Sequence, residues 1–353
     1  MAPLELSDRE RRVLEAVIRS YVETAEPAGS RTLSRRSGLG VSPATIRNTM
    51  SDLEEKGYLF HPHTSAGRVP TDKAYRLYVD TLIFLPPLPV PTPDHERLAE
   101  EITAGGSAIE AILRRAAQSL GILTQELGVA LGPRLDETIL QRLELLRLSS
   151  DRLLMVITLA GGVVRTIFVE VKGEVAESAL AEVALVLNER LSGLTLRDVR
   201  SSLGARLRDT GAAADTSELL NIFIQEGDQL FDVGPGQGSG GRDEHVLLGQ
   251  PSLLAEQPEF ATGERMRKLM ELTETREHLG DLLRRRSATS GLSITIGNEH
   301  GDPRLENFTV VTAEYRAGSL TGVIGVIGPT RMPYEKVISL VTHTSQLVSD
   351  LLD

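Results

Sequence analysis

The chain of 353 residues contains no cysteine, which excludes disulfides, thiolate catalysis and every zinc site built on thiolates. Long apolar runs are missing too. No stretch reaches the roughly 18 residues that a membrane-spanning helix needs, and the opening MAPLELSDRERR turns charged before a signal-peptide core can form. The expected location is the cytoplasm. No Ser-His-Asp order, paired-carboxylate site or phosphate loop stands out, so neither catalysis nor a cofactor is expected. Positive charge is in deficit: 38 Lys and Arg face 49 Asp and Glu, a net charge of -11, which argues against wholesale wrapping in nucleic acid. What is present is an ordinary soluble composition, 41% hydrophobic and 25% charged. At roughly 100 to 200 residues per domain, the length predicts two or three domains.

The charge is unevenly spread. Residues 1–80 hold 12 basic and 11 acidic side chains, whereas the remaining 273 hold 26 and 38; between Arg31 and Arg76 the count is 8 basic against 4 acidic. An acidic body with a slightly basic head suits a modular DNA-binding protein, because only the surface facing phosphates needs the positive sign. The local signals agree. Ser7 can cap a helix carrying Val13, Leu14, Val17, Ile18 and Tyr21 at helical spacing. Ser30 can cap a short second helix through Leu33, and SGLG at 37–40 is a turn. Ser42 followed by Pro43 is the cap-plus-first-position signature of a third helix running to about Lys56.

That third helix has two faces. Ile46, Met50 and Leu53 point to the core, leaving Thr45, Arg47, Asn48 and Ser51 outward, where Arg and Asn can bond to guanine and adenine edges in a major groove. GYLFHPHTSAGRVPT, residues 57–71, then reads as strand, exposed turn and returning strand, which completes a helix-turn-helix with a wing. Arg68 beside Gly67 is either an ordinary turn residue or a wing-tip contact to phosphate or the minor groove. Arg31, Arg35 and Arg36 suit positioning on the DNA backbone rather than reading of sequence. His61 and His63 flank Pro62 without a third ligand at usual spacing, so no metal is expected.

The segments VSPATIRNTMSDLEEKGYLFHPHTSAGRVPTDKAYRLYVD (41–80) and GVIGVIGPTRMPYEKVISLV (322–341) closely resemble the bacterial HrcA family of heat-inducible transcription repressors, and SDRERRVLEAVIRSYVETAEPAGSRTL (7–33) and GLSITIGNE (291–299) are similar to it as well. The resemblance spans essentially the whole chain in order. It implies a homodimeric repressor that binds an inverted repeat, the CIRCE operator, before chaperone genes until heat or unfolded protein depletes it, with the GroEL chaperonin promoting the active form. It also implies a multidomain α+β fold: an N-terminal winged helix-turn-helix and a GAF-like α+β domain with a mostly helical dimerisation domain inserted. The family's recognition-helix motif falls on Ser42, Ala44, Thr45, Ile46, Arg47 and Asn48, and its wing motif on His63, Thr64, Ser65, Gly67 and Arg68. Ala74 departs from the Gly common there, in a segment that still reads as helix.

Five prolines at 86, 87, 89, 91 and 93 suggest a stiff linker over 86–96 after a DNA-binding domain at 1–85. An apolar stripe from Ile109 to Leu127 predicts a helix, and the runs at 140–149 and 153–171 predict strands, the second broken by Gly161-Gly162 as in a hairpin. A helix over 177–191 and the strand-rich C-terminal part suggest one α+β domain in two pieces, 97–198 and 290–353, with 199–289 inserted. The insertion contains DVGPGQGSGGRDE, expected to be a mobile loop, and an amphipathic helix over 263–286 with Met266, Leu269, Met270 and Leu282. That stripe suits intramolecular core; the resemblance points to dimerisation. GVIGVIGP has the wrong glycine spacing for a dinucleotide site and reads as core strand.

Overall fold

A computed structural model describes all residues except 1–5, 64–66, 85–91, 104–108, 134–136, 161–163, 172–174, 209–213, 232–245, 275, 288–290, 319 and 353. The expected loop at 232–244 and the Gly161-Gly162 break therefore lie outside the described residues. The fold is multidomain α+β and divides into two compact units, residues 1–131, 246–314 and 323–348 forming the first and residues 132–245, 315–322 and 349–353 the second.

The first unit begins with a head of four helices and two short strands: α1 (Asp8–Thr24), α2 (Ser30–Arg36), α3 (Pro43–Glu55), β1 (Leu59–Phe60), β2 (Val69–Pro70) and α4 (Asp72–Ile83). Ser7 and Glu10 form a reciprocal capping box that starts α1, and Ala25, in the left-handed region at φ 55°, stops it. Thr71 caps α4 by accepting from the Ala74 N–H. Val13, Val17 and Ile18 of α1 and Ile46 and Leu53 of α3 are buried, so the helical periodicity of the sequence becomes the head's core. β1 and β2 pair antiparallel, Leu59 with Pro70 and Phe60 with Val69.

The body of this unit follows as α5 (Thr92–Thr103), α6 (Ile109–Thr124) and β3 (Leu127–Leu131), and after the interruption as β7 (Val246–Leu248), α10 (Ser252–Ala255), α11 (Gly263–Glu274), α12 (Arg276–Ser287), β8 (Leu292–Ile296), β9 (Phe308–Ala317), β10 (Leu320–Pro329) and α13 (Tyr334–Leu352). Five strands lie in the order β7-β3-β10-β9-β8. Leu127, Val129 and Leu131, alternate residues of β3, share a core with Leu269, Leu272, Leu279 and Leu283 of α11 and α12. The GVIGVIGP segment is the buried part of β10.

In the second unit, β4 (Leu140–Arg147), β5 (Arg152–Leu159) and β6 (Val164–Glu170) form an antiparallel sheet in that order, followed by α7 (Glu177–Leu191), α8 (Leu196–Leu207) and α9 (Ala214–Leu230). Leu143, Met155, Ile157 and Val169 from one sheet face join Val183 and Leu187 of α7, Val199 of α8 and Phe223 of α9 in a single core. Each sheet residue in this set alternates with an outward neighbour, the period-2 signature of a half-buried sheet.

The compact units divide the chain at other points than the expected boundaries. The strands β4–β6 and helix α7 do not belong to the domain at 97–198; they close over α8 and α9 in the interrupting unit. Residues 246–289, expected within the insertion, return to the first unit because β7 pairs with β3 and α11 and α12 cover the sheet. In the stretch expected as a helix over 263–286, the residues described on either side of 275 are helical, with Leu269 buried and Met270 56% exposed. The stripe from Ile109 to Leu127 ends as helix at Thr124, and Leu127 opens β3. The linker is shorter than 86–96, since α5 starts at Thr92.

Candidate nucleic-acid interface

Helix α3 is anchored from one side. Its N-cap is Ser42, whose hydroxyl accepts from the Thr45 N–H at 3.1 Å and lies 3.0 Å from the Thr45 hydroxyl. Pro43 at the first position contributes no N–H that would need a partner. Ile46, Thr49, Met50 and Leu53 are buried, and the Thr49 hydroxyl donates back to Thr45 O at 3.1 Å. That leaves Ala44, Arg47 and Asn48 exposed and Thr45 and Ser51 half-buried on the opposite face. The C-terminal end of the helix is tied to α1: Lys56, just past that end, donates to Glu10 at 2.8 Å, and Glu10 is held down to about 2 by that bond and by the Ser7 cap.

The strand pair after α3 is fixed to the α1–α2 connection. Ala28 and Arg68 exchange two backbone hydrogen bonds, Ala28 N–H to Arg68 O at 2.9 Å and Arg68 N–H to Ala28 O at 3.0 Å. Gly67 is required there because a Cβ would sit 2.3 Å from Ala28 O and 2.5 Å from Pro27 O. The Arg68 side chain does not extend outward as a wing-tip residue. Its guanidinium donates to Glu54 at 2.7 Å with 14% of the side chain exposed, and bonds to His61 Nε2. A phosphate would have to displace a carboxylate already seated in α3, so the geometry makes Arg68 a brace between the base of the β1–β2 pair and α3. His63 is exposed, whereas Thr64 and Ser65 lie outside the described residues.

Arg31, Arg35 and Arg36 are exposed along α2, the last two in its final turn, where a cation also suits the negative helix end. Sequence reasoning missed Glu54 and His61 as partners of Arg68. No local signal marks them, since the three come together only when the strand pair folds back. Among the described residues no group of three or more His, Asp or Glu is arranged to hold a metal ion.

A second surface lies on the outer face of β4–β6. The register places Leu146 beside Leu154 and Leu154 beside Phe168, and Thr158 between Arg142 and Val164. Leu146 and Phe168 are each 49% exposed, Val164 57% and Leu148, just beyond β4, 53%. Singly exposed apolar residues are ordinary; a contiguous row on a sheet face marks a contact surface.

Comparison with known proteins decides what kind of chain this is. The family model described as HrcA protein C terminal domain matches residues 110–338. The heat-inducible transcription repressor HrcA of Chlorobium phaeobacteroides (strain BS1) is 39% identical over 356 residues, covering 99% of both chains. The chain belongs to the HrcA family. Another HrcA repressor, from Geobacter sulfurreducens, is 39% identical over 351 residues, again covering 99% of each, and that of Chlorobium chlorochromatii is 38% identical over 352 residues, covering 99% of this chain and 98% of its own. A crystal structure described as a hypothetical protein at 2.2 Å resolution aligns over 99% of both chains with a TM-score of 0.69 at 24% identity, a likeness of fold. HrcA proteins are heat-inducible transcription repressors, so the chain is a regulator and not an enzyme. No helix among the described residues is long and apolar enough to cross a membrane.

Proposed function

We propose that the chain represses chaperone genes by binding the CIRCE inverted repeat as a homodimer. In this reading the head is a winged helix whose α3 enters the major groove. Arg47 and Asn48 make base contacts, Ser42, Ala44, Thr45 and Ser51 approach the groove walls, and His63, Thr64, Ser65 and Gly67 follow the neighbouring backbone. Arg31, Arg35 and Arg36 steady the head on phosphates. Arg68 serves the interface indirectly, as the brace that sets the wing against α3.

One observation carries the reading. Arg47 and Asn48 are adjacent and exposed on a helix whose other face is wholly committed to the head's core. Two groups able to form bidentate bonds are thus presented on a rigid element, the arrangement direct readout requires. The five-stranded sheet with its helices is then the GAF-like domain, and the inserted dimerisation domain is the second unit, 132–245, rather than 199–289. The exposed row Leu146, Leu154 and Phe168 supports that assignment, since a two-fold contact needs a self-complementary patch. GroEL acts on this reading as the partner that promotes the binding-competent form, and unfolded protein competes for it.

A mobility-shift titration tests the proposal, using a CIRCE duplex and the same duplex with each or both half-sites scrambled, with and without added GroEL. Retarded complex on the intact repeat, weakened by scrambling one half and abolished by scrambling both, is the expected result. Equal retardation of all four duplexes sinks it.

A further inference from the structure

Several anchors join the head to the body of its own unit, three of them through Asp72, Arg76 and Arg331, and none of these three uses a residue of α3. The first two lie one turn apart on α4. Asp72 Oδ2 accepts from the backbone N–H and the side-chain amide of Asn298, each at 3.1 Å. Arg76 donates through Nε to Glu299 Oε1 at 2.7 Å and through Nη2 to Ile294 O at 2.8 Å. Between them Gly297 holds φ +50°, and a Cβ there would fall 2.2 Å from Asp72 Oδ2. The turn Gly297–Asn298–Glu299 is therefore shaped to the start of α4: a Cβ would be strained at this φ and would push the Asp72 carboxylate away from its two bonds to Asn298.

The third anchor closes the end of α1. The last carbonyls of a helix lack intrahelical partners and carry its negative end. α1 has no basic residue of its own in its last turn. Arg331 supplies the cation from 309 positions away, donating through Nη1 to Val22 O at 2.7 Å while Nη2 donates to Glu259 at 3.0 Å. Nearby, Arg19 and the Tyr78 hydroxyl converge on one Glu335 oxygen at 3.0 and 2.8 Å. Three directional anchors on two helices fix a rigid body's rotation as well as its position. They grip the side away from Arg47 and Asn48, both of which stay exposed, so the docking orients the recognition helix without covering it.

We infer that the Gly297–Glu299 turn and Arg331 are positioning residues for DNA binding, presetting the head so that a dimer engages both halves of an inverted repeat at once. The inference rests on the repressor reading above. Preset geometry raises the effective concentration of the second head once the first has bound, whereas an undocked head must be ordered at that moment. One half-site needs only one head. Loosening the anchors should therefore weaken the full repeat and spare the half-site.

The test uses the full-length chain with Gly297→Ala, Arg331→Ala and Arg331→Lys, titrated by fluorescence anisotropy against a full CIRCE repeat and a duplex carrying one half-site. Amide exchange is followed over α1, α4 and the 294–299 strand end. Gly297→Ala and Arg331→Ala are each expected to lose about tenfold on the full repeat and less than about twofold on the half-site. Faster exchange should be confined to the anchors, and Arg331→Lys should recover part of the loss by restoring a donor to Val22 O. Unchanged or tighter binding to the full repeat would overturn the inference, tighter binding meaning that docking holds the heads apart. Parallel losses on both duplexes would overturn it too, as simple damage to the head. A wild-type chain that binds the two duplexes equally would instead bring down the repressor reading, and this inference with it.

Discussion

Replacing Gly67 by Ala should uncouple the β1–β2 pair from the α1–α2 connection. The new Cβ would lie 2.3 Å from Ala28 O, against the 3.4–4 Å of ordinary contact, and both atoms it meets first are backbone. The wing base has to retreat, and the paired hydrogen bonds between Ala28 and Arg68 at 2.9 and 3.0 Å break. Each is worth about 1 kcal/mol net. The Arg68–Glu54 pair, one-third exposed on the carboxylate side, adds at most about 1 kcal/mol after screening. The local cost is then about 2 to 3 kcal/mol, which corresponds to roughly 30- to 150-fold faster opening of the wing base. Hydrogen exchange followed by mass spectrometry reads this in peptides covering 26–30 and 67–70. Protection within about twofold of wild type at Ala28 and Arg68 would refute the claim that Gly67 is there for close approach.

Three further outcomes follow from groups elsewhere in the chain. Burial pushes the Glu126 carboxyl well above its usual range, with Gln257 donating to it at 3.1 Å. The folded state thus keeps a proton that the unfolded state loses first, and stability falls as pH rises above about 4.5. Glu126→Gln should flatten that slope and resist urea better at pH 8, with no difference near pH 4; an unchanged slope would contradict it. Glu10 has the opposite sign, since its value is depressed to about 2 by Lys56 and the Ser7 cap. It stabilises the head above the usual carboxylate range and ceases to as pH falls toward 2. Glu10→Gln should therefore weaken the fold in urea at pH 7 and have no effect at pH 2. Phe168→Glu, on the outer face of β4–β6, should make the chain sediment as a monomer while its circular dichroism stays unchanged. A variant still dimeric at micromolar concentration would move the interface elsewhere.

The head was legible because its signals are local. Ser42-Pro43 names a helix start, and Ile46, Met50 and Leu53 name its buried face within a dozen residues. The body was legible only as a set of elements. Nothing in β4–β6 says whether they pair with the strands before or after them, because alternation specifies a face and not a neighbour. The second core and the division into compact units therefore could not be read from the sequence. The Arg68 ion pair was not legible for a related reason: a basic residue beside a turn glycine looks outward until Glu54, fourteen positions earlier, is seen to hold it. The segments TDKAYR, IGNE and TRMPYE carried the resemblance without a physical role in the sequence. The structure gives them one at the anchors between head and body.

On the proposed reading, the exposed face of α3 reads the two halves of CIRCE. Competition binding against intact and scrambled repeats at fixed salt, with wild type, Arg47→Ala and Asn48→Ala in parallel, addresses it most directly. Wild type is expected to prefer the intact repeat by roughly 10³-fold or more. Each variant should give up about 1 to 3 kcal/mol of that preference, roughly 5- to 150-fold, with its helical content intact. Wild type without a preference, or both variants with the parent's preference undiminished, would contradict it.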